Sequence, residues 1–247
     1  MTHNKKNKKE KNLSTKSNKE FLSITSHQLR TPLSTILSSV DLLELYIKKK
    51  NTARQLQVLN KIKNSILYLR NVIDNITELY KNETIKPNIQ KIDIRKFVND
   101  VIEEIIIEAK EKHLINVHID DTIKQFNGDE FILKQILVNL FLNSIKFSPE
   151  GGQILLSVKK TGNFLNFSIR DEGIGVDEKE IKNLFKPFYR GKNVENIPGF
   201  GLGLAIVYKL VKLHKGKIKI TSSLNKGTEV NVLIPINEES TYHRRQS

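Results

Sequence analysis

Phe21-Leu22-Ser23-Ile24-Thr25-Ser26-His27-Gln28-Leu29-Arg30-Thr31-Pro32-Leu33 opens the helical pattern that decides the first half of the fold. Leu22, Leu29, Leu33, Ile36, Val40, Leu43 and Ile47 recur at alternating spacings of three and four, with Ser26 in the single missing position, so they form one seam along a helix. His27 falls beside that seam, toward solvent. Residues four apart share a helix face, which sets Thr31 one turn above His27. Pro32 removes the amide that would bond the Gln28 carbonyl, and so predicts a looser or bent helix beside the histidine. Taken alone, His27 is either an incidental exposed histidine or a group placed for chemistry. Only the rest of the chain separates the two.

A second seam follows from about Thr52 to Lys81, through Leu59, Ile62, Ile66, Leu69, Ile73, Ile76 and Tyr80, and the stretch from Lys48 to Asn51 turns the two helices into a hairpin. Val58, Leu67 and Val72 widen the stripe beyond what one neighbouring helix covers. Two hairpins associating as a four-helix bundle cover it, and so does a hairpin folded back on its own chain.

At 247 residues with 38% hydrophobic content, the chain can bury a real core, which excludes disorder throughout. Cysteine is absent, which excludes disulfides, a thiol nucleophile and cysteine metal sites; this suits a cytoplasmic location or an equivalent reducing interior such as an organelle stroma. No uninterrupted apolar run is long enough to span a bilayer, and we expect no transmembrane segment. The net charge of +14 suggests nucleic acid, but the lysines are scattered among glutamates and asparagines with no motif to present them to a groove, so no nucleic-acid partner is expected. Residues 1–20 read as a disordered basic tail and 238–247 as a polar tail.

After Pro87 helices alternate with strands, and we place a boundary between residues 21–84 and 87–237. The patterns predict a helix from Ile94 to Lys112, a strand from Leu114 to Ile119, and a helix from Asp129 to Phe147 with an acidic start. Strands from Gln153 to Lys160 and Asn163 to Arg170 join at Thr161-Gly162. A short helix near Glu178 to Leu184, a helix from Gly201 to His214 and two closing strands complete an α/β sandwich with one sheet.

Three features of this second half carry chemistry. Asn139, Asn143 and Lys146, spaced four and three apart, form a polar stripe on an otherwise apolar helix; carboxamide oxygens suit a hard divalent cation and a lysine suits phosphate. Asp171-Glu172-Gly173-Ile174-Gly175 follows a strand and is either a plain turn or a carboxylate placed to accept from an exocyclic amine, with glycines that admit a flat base. Gly199-Phe200-Gly201-Leu202-Gly203 runs into a helix, so its amides and the helix N-terminus can cradle a polyphosphate.

In this order and spacing, the chain resembles the transmitter core of a two-component sensor histidine kinase. His27 with Leu29-Arg30-Thr31-Pro32-Leu33 is similar to the family's phospho-acceptor box, and Asn139 to Ser148 to its first nucleotide box. Asp171 to Gly175, Phe185-Lys186-Pro187-Phe188-Tyr189-Arg190 and Gly199 to Gly203 are similar to the other three, and Lys226-Gly227-Thr228-Glu229 to a closing turn. The likeness runs from about Phe21 to Pro235. It implies a dimerisation and histidine-phosphotransfer domain followed by an ATP-binding domain of Bergerat (GHKL) type, with His27, Gln28 and Thr31 as catalytic positions. It implies an ATP-binding set of Asn139, Asn143, Lys146, Asp171, Gly173, Gly175, Phe188, Gly199, Gly201, Gly203 and Thr228, with Mg held by Asn143. Asn139 stands where related ATPases carry a glutamate that activates water. The span from Lys192 to Pro198 resembles a mobile lid, and Phe185 and Phe188 either dock on the histidine helix or pack in the core.

The activity implied is ATP-dependent phosphorylation of His27 and transfer to an aspartate of a response regulator receiver domain, in a homodimer that takes its signal from a separate sensor subunit or a longer chain. An ATP-binding scaffold or receiver phosphatase with weak autokinase activity is the alternative. The family usually carries an acidic residue after the histidine, and this chain has Gln28, which can fix the imidazole tautomer but cannot take its proton at neutral pH. General-base assistance gives about 10² to 10⁴ in rate, but water partly substitutes at an exposed helix face, so Gln28→Glu is expected to speed autophosphorylation about tenfold to a hundredfold. Single-turnover labelling at saturating ATP checks this, and an unchanged rate shows that proton removal is not limiting.

Overall fold

The computed structural model describes residues 25–26, 29–80, 86–109, 112–194, 197 and 199–236. The chain divides into two compact units, Met1–Glu78 and Leu79–Ser247. Both tails, residues 1–20 and 238–247, and the positions of His27 and Gln28 lie outside the described residues.

The first unit is a helical hairpin of α1 (residues 29–48) and α2 (Thr52–Tyr80). Its turn falls where the sequence places it. Lys50 takes a left-handed φ of 53°, which lets the Asn51 amide reach back to the Tyr46 carbonyl at 3.0 Å. Asn51 then caps α2, its Oδ1 accepting the Arg54 amide at 3.1 Å. Arg54 also donates to the Tyr46 hydroxyl at 3.0 Å, with its guanidinium carbon 5.6 Å from the centre of that ring. Of the residues that widen the stripe Leu67 is exposed, and the seam residues alternate between exposed and half-buried. Val58 and Val72 are buried, whereas Leu33, Val40, Ile47, Leu59, Ile66 and Ile73 on the seams stay exposed, Leu33 at 52% and Ile47 at 56%. The hairpin by itself leaves every second residue of its most regular apolar line open.

The second unit holds β1 (Gln90–Asp93), α3 (Ile94–Ala109), β2 (His113–Ile119), β3 (Gln125–Gly128), α4 (Glu130–Phe147), β4 (Gly152–Thr161), β5 (Phe164–Asp171), α5 (Gly203–Leu213), β6 (Lys217–Ser222) and β7 (Thr228–Pro235). The main sheet has the order β2-β4-β5-β7-β6, with β2 parallel to β4 and the other pairs antiparallel. Alternate residues of β4, β5 and β7 are buried: Ile154, Leu156 and Val158, then Leu165, Phe167 and Ile169, then Val230, Val232 and Ile234. They share the core with the buried faces of the helices, Phe97 and Val101 on α3, Leu133, Leu137 and Leu140 on α4, and Ile206 and Leu210 on α5.

Several boundaries differ from the sequence reading. A two-stranded sheet of β1 and β3 stands beside the main one, so there are two sheets rather than one. Each of these strands has four residues, too short for an alternation to register. The helix expected to run to Lys112 ends at Ala109, and β2 begins at His113, whose two ring nitrogens lie 3.0 Å from the Ala109 carbonyl and 2.9 Å from the Ser148 carbonyl. The short helix expected near Glu178 to Leu184 is present as a 3₁₀ helix over Glu178–Asn183. The last helix starts at Gly203 because Gly201 has φ 67°, which a right-handed helix cannot contain.

Phe167 sits at the centre of the core, 1% exposed, with the rings of Phe97 and Phe126 edge-on at 6.5 and 6.4 Å. Phe167→Ala removes a ring contacted from α3 and β3, and is expected to cost about 3–5 kcal/mol of stability in denaturant unfolding of the second unit's core.

Candidate functional site

Helix α4 organises the polar residues of the second unit. Asp129 caps its start, the side chain accepting the Ile132 amide at 3.0 Å, and Ser148 ends it. The apolar residues Ile132, Leu133, Ile136, Leu137 and Leu140 bury one side, which leaves Asn139, Asn143 and Lys146 half-buried along another. Asn139 donates its side-chain amide to the Gln135 carbonyl at 2.9 Å, so its oxygen stays directed outward from the helix backbone. That oxygen and the Asn143 amide group both lie against Gly203, the first residue of α5: a Cβ added there would sit 3.4 Å from Asn139 Oδ1 and 3.6 Å from Asn143 Oδ1. Further along, Lys146 Nζ lies directly against Gly199, where a side chain would collide with it.

Asp171, at the end of β5, is 6% exposed and accepts three hydrogen bonds. Its Oδ1 takes the amides of Gly173 and Thr228, each at 3.0 Å, and its Oδ2 takes the Ser144 hydroxyl at 3.0 Å. Burial pushes the carboxyl above the usual carboxylate range, and the bonds from Gly173, Ser144 and Thr228 oppose that rise. Oδ2 keeps lone-pair capacity for a further donor such as an exocyclic amine. The glycines around it answer first to the protein itself. A Cβ on Gly173 would strike the Phe147 carbonyl and come within 2.7 Å of Ser148 Oγ, and one on Gly175 would strike the Ser223 carbonyl. At Gly201, φ is 67° and a Cβ would strike the Tyr189 carbonyl; the Phe188 amide donates to the Gly201 carbonyl at 2.9 Å, with Phe188 itself at φ 64°.

The site residues of the second unit thus gather in three linked groups, Asp171 with Gly173 and Thr228, the two asparagines with Gly203, and Lys146 with Gly199, while Phe188 joins through Gly201. Gly175 is tied in by the Asn193 side chain, which donates to its carbonyl at 2.8 Å. Thr31 belongs to the hairpin, exposed on α1, where it lines a groove with Pro32, Thr35, Asn60, Lys61 and Tyr68. His27 and Gln28 lie outside the described residues. Among those residues no cluster of histidine, cysteine or acidic side chains is arranged to hold a metal. Asn143, a neutral oxygen donor, fits a Mg ion whose remaining ligands are water and phosphate oxygens.

Three contributors escaped the sequence reading. Ser144 lay inside the quoted box yet has no chemistry at its own spacing until Asp171 is seen beside it. Arg190 hydrogen-bonds the carbonyls of Val194 and Ile197, and its charge acts on Lys146. Ser222 receives the Val176 amide at 2.9 Å and donates to the Gly227 carbonyl at 2.9 Å, fastening the two turns that flank Asp171; nothing in its neighbours along the chain signals this.

Residues 17–85 match the His Kinase A (phospho-acceptor) domain, and residues 128–238 match the histidine kinase-, DNA gyrase B- and HSP90-like ATPase. The sensor histidine kinase RcsC of Escherichia coli K12 is 34% identical over 222 residues, covering 87% of this chain and 23% of RcsC. The chain therefore spans about a quarter of the length of that relative. Full-length ShkA, solved in complex with AMPPNP, is 27% identical with a TM-score of 0.65 over 87% of this chain and 45% of ShkA. ThkA, solved in complex with the response regulator protein TrrA, shares the fold at 21% identity, with a TM-score of 0.71 over 88% of this chain and 61% of that one. No helix among the described residues is long and apolar enough to cross a membrane.

Burial, and then the charge of Arg190, hold the Lys146 ammonium down to about 8 from its ordinary 10.5. The unfolded chain keeps the proton more tightly, so Lys146 costs stability below about 8 and that cost fades as pH rises toward 10.5. A bound polyphosphate prefers the cation. Its affinity is expected to fall as pH rises through about 8, by at most about tenfold per unit, and Lys146→Met should weaken binding at pH 7 and flatten the profile. Calorimetric titration between pH 6.5 and 9 checks this.

Proposed function

We propose, for a chain that belongs to the two-component sensor histidine kinases as their transmitter core, that ATP held by the second unit phosphorylates His27, and that the phosphoryl group then passes to an aspartate of a receiver domain. One observation carries the reading: a single helix, α4, sends Ser144 to Asp171, Asn143 to Gly203 and Lys146 to Gly199, so that base, metal and phosphate positions share one rigid element.

In this reading Asp171 accepts from the adenine amine, Lys146 and the amides of the Gly199–Gly203 loop hold phosphate, and Asn143 holds Mg. When bound, Mg offsets negative charge on the phosphates. An unprotonated imidazole nitrogen of His27 attacks the γ-phosphorus in line; the P–N bond forms as the bond to the bridging oxygen breaks, ADP leaves, and the other ring proton goes to solvent. Asn139, with no base to offer, does not activate water against ATP. Arg190, close enough to act on Lys146, adds a second cation to the phosphate end. The exposed seam of the hairpin is covered by a second copy, giving a four-helix bundle. Thr31, exposed in its groove, positions water against the phosphorylated receiver. A sensor, on a separate subunit or the same polypeptide, sets the balance of these reactions.

Gln28 favours a second reading, in which the dimer binds ATP but labels itself slowly and acts chiefly as a receiver phosphatase or scaffold. Incubation with γ-labelled ATP and Mg separates the two. Acid-labile, alkali-stable label is expected on the wild-type chain and absent from His27→Gln, which still binds ATP. Asn143→Asp is expected to impair use of Mg-ATP without loss of dimerisation, and mixing it with His27→Gln restores label if transfer runs between exchanging subunits. Persistent acid-labile label on His27→Gln overturns the assignment of the acceptor.

A further inference from the structure

Outside the groups already described, one buried polar cluster joins three segments of the second unit. Asp129 uses one carboxylate oxygen to cap α4 at Ile132 and the other to accept the Asn88 amide at 2.7 Å. Its own amide cannot join the helix it caps, because the N-cap N–H lies outside the intrahelical ladder. Buried as it is, that amide needs an acceptor, and it finds Nε2 of His214 at 3.1 Å. His214 is 4% exposed and forms the C-cap of α5. Because Nε2 accepts, the neutral ring carries its proton on Nδ1.

This bond pins the N-terminal end of α4 to the C-terminal end of α5. The N-terminal end of α5 meets the middle and C-terminal half of α4 at the site, where Asn139 and Asn143 lie against Gly203. Gly203 has no side chain to interlock with the asparagines, so contact there does not fix the register of the helices. From Gly203 to His214 α5 runs about 16 Å, a rigid lever with its fixed point at the Asp129–His214 bond and its free end at the phosphate loop. Burial of Ile206, Val207 and Leu210 resists separation of the helices, but apolar contact is non-directional, and a sliding motion costs it less than it costs a hydrogen bond.

We propose that Asp129 and His214 are positioning residues for nucleotide binding: their hydrogen bond sets the register of α4 against α5 and thereby holds Asn139 and Asn143 at the mouth of the Gly199–Gly203 loop. The inference rests on the nucleotide site described above. Its signature is that an acceptor at position 214, rather than bulk, sustains affinity.

The test measures AMPPNP-Mg binding to the full chain by calorimetry. His214→Leu fills the space without an acceptor and is expected to raise Kd about fivefold, the equivalent of one lost hydrogen bond. His214→Gln, whose side-chain oxygen can accept the Asp129 amide, is expected to restore Kd to within about twofold of wild type, as one retained bond predicts. Equal losses in the two variants overturn the proposal. Asn143→Ala serves as the control: if it binds as wild type, the nucleotide site itself is misassigned and the inference falls with it; if it is weakened while His214→Leu is not, the positioning role alone fails. Should His214→Leu not fold, hydrogen exchange on the wild type decides. Coupling is reciprocal, so saturating AMPPNP-Mg is expected to slow exchange of the Asp129 amide about fivefold, and an unchanged rate overturns the proposal.

Discussion

The site depends on a carboxylate that three separated segments agree to satisfy. Asp171 stands at the end of β5 with almost no solvent, and a carboxylate in that position is costly unless donors surround it. The turn that follows supplies the Gly173 amide, β7 supplies the Thr228 amide, and α4 supplies the Ser144 hydroxyl. Each bond also fixes the segment that donates it. The register of β5 with β7, which pairs Asp171 with Thr228, is the one that allows the second bond, and a slip by one residue would remove it and turn the core face of the strand outward.

That constraint explains why glycine recurs around the carboxylate. Where Gly173 and Gly175 pass, the nearest atoms are backbone of the α4 C-terminus and of the β6–β7 turn. Gly227, at φ 79°, closes on the Asp171 carbonyl in the same way. Crowding of backbone on backbone is the condition for bringing three turns to one side chain, and space for a ligand is left beside them on Oδ2. At Gly199 and Gly203 the neighbours are instead Lys146 and the two asparagines, functional side chains rather than backbone. The glycines therefore divide into those packed against backbone around Asp171 and those packed against the polar side chains of α4, the proposed adenine and phosphate ends.

How far the sequence reached follows from the length scale of each signal. The apolar periods of α2, α4 and α5 and the alternation in β4 and β5 extend over eight residues or more, and those elements lie within about two residues of where the patterns put them. The strands β1 and β3 have four residues each and pair across a separation of more than thirty, so no local pattern announces them. Lys146, Asp171 and Gly203 were legible because their residue types are improbable where they stand: a lysine on an apolar helix, an acid ending a buried strand, glycines opening a helix. Ser144, Ser222 and His214 were not, since a serine or histidine inside an element carries no signature until a partner distant in sequence is known. The hairpin gave a different lesson. Its periodic seam, the strongest pattern in that unit, alternates between exposed and half-buried residues, while the fully buried apolar side chains there are Val58 and Val72, outside the heptad line.

The two units consequently obey different thermodynamics. The second closes its core within one chain around Phe97, Phe141 and Phe167, so its stability is a property of the folded monomer. The hairpin leaves Leu33, Leu37, Ile47, Leu56, Ile66 and Ile73 in water, and in the proposed pairing, where a second copy covers them, its stability depends on chain concentration. Under the proposed function, such a chain binds nucleotide as a monomer and assembles its acceptor helices only when paired. Since apolar burial is non-directional, small changes in how the paired helices rotate or tilt cost little, whereas the hydrogen-bonded carboxylate of the nucleotide unit tolerates none.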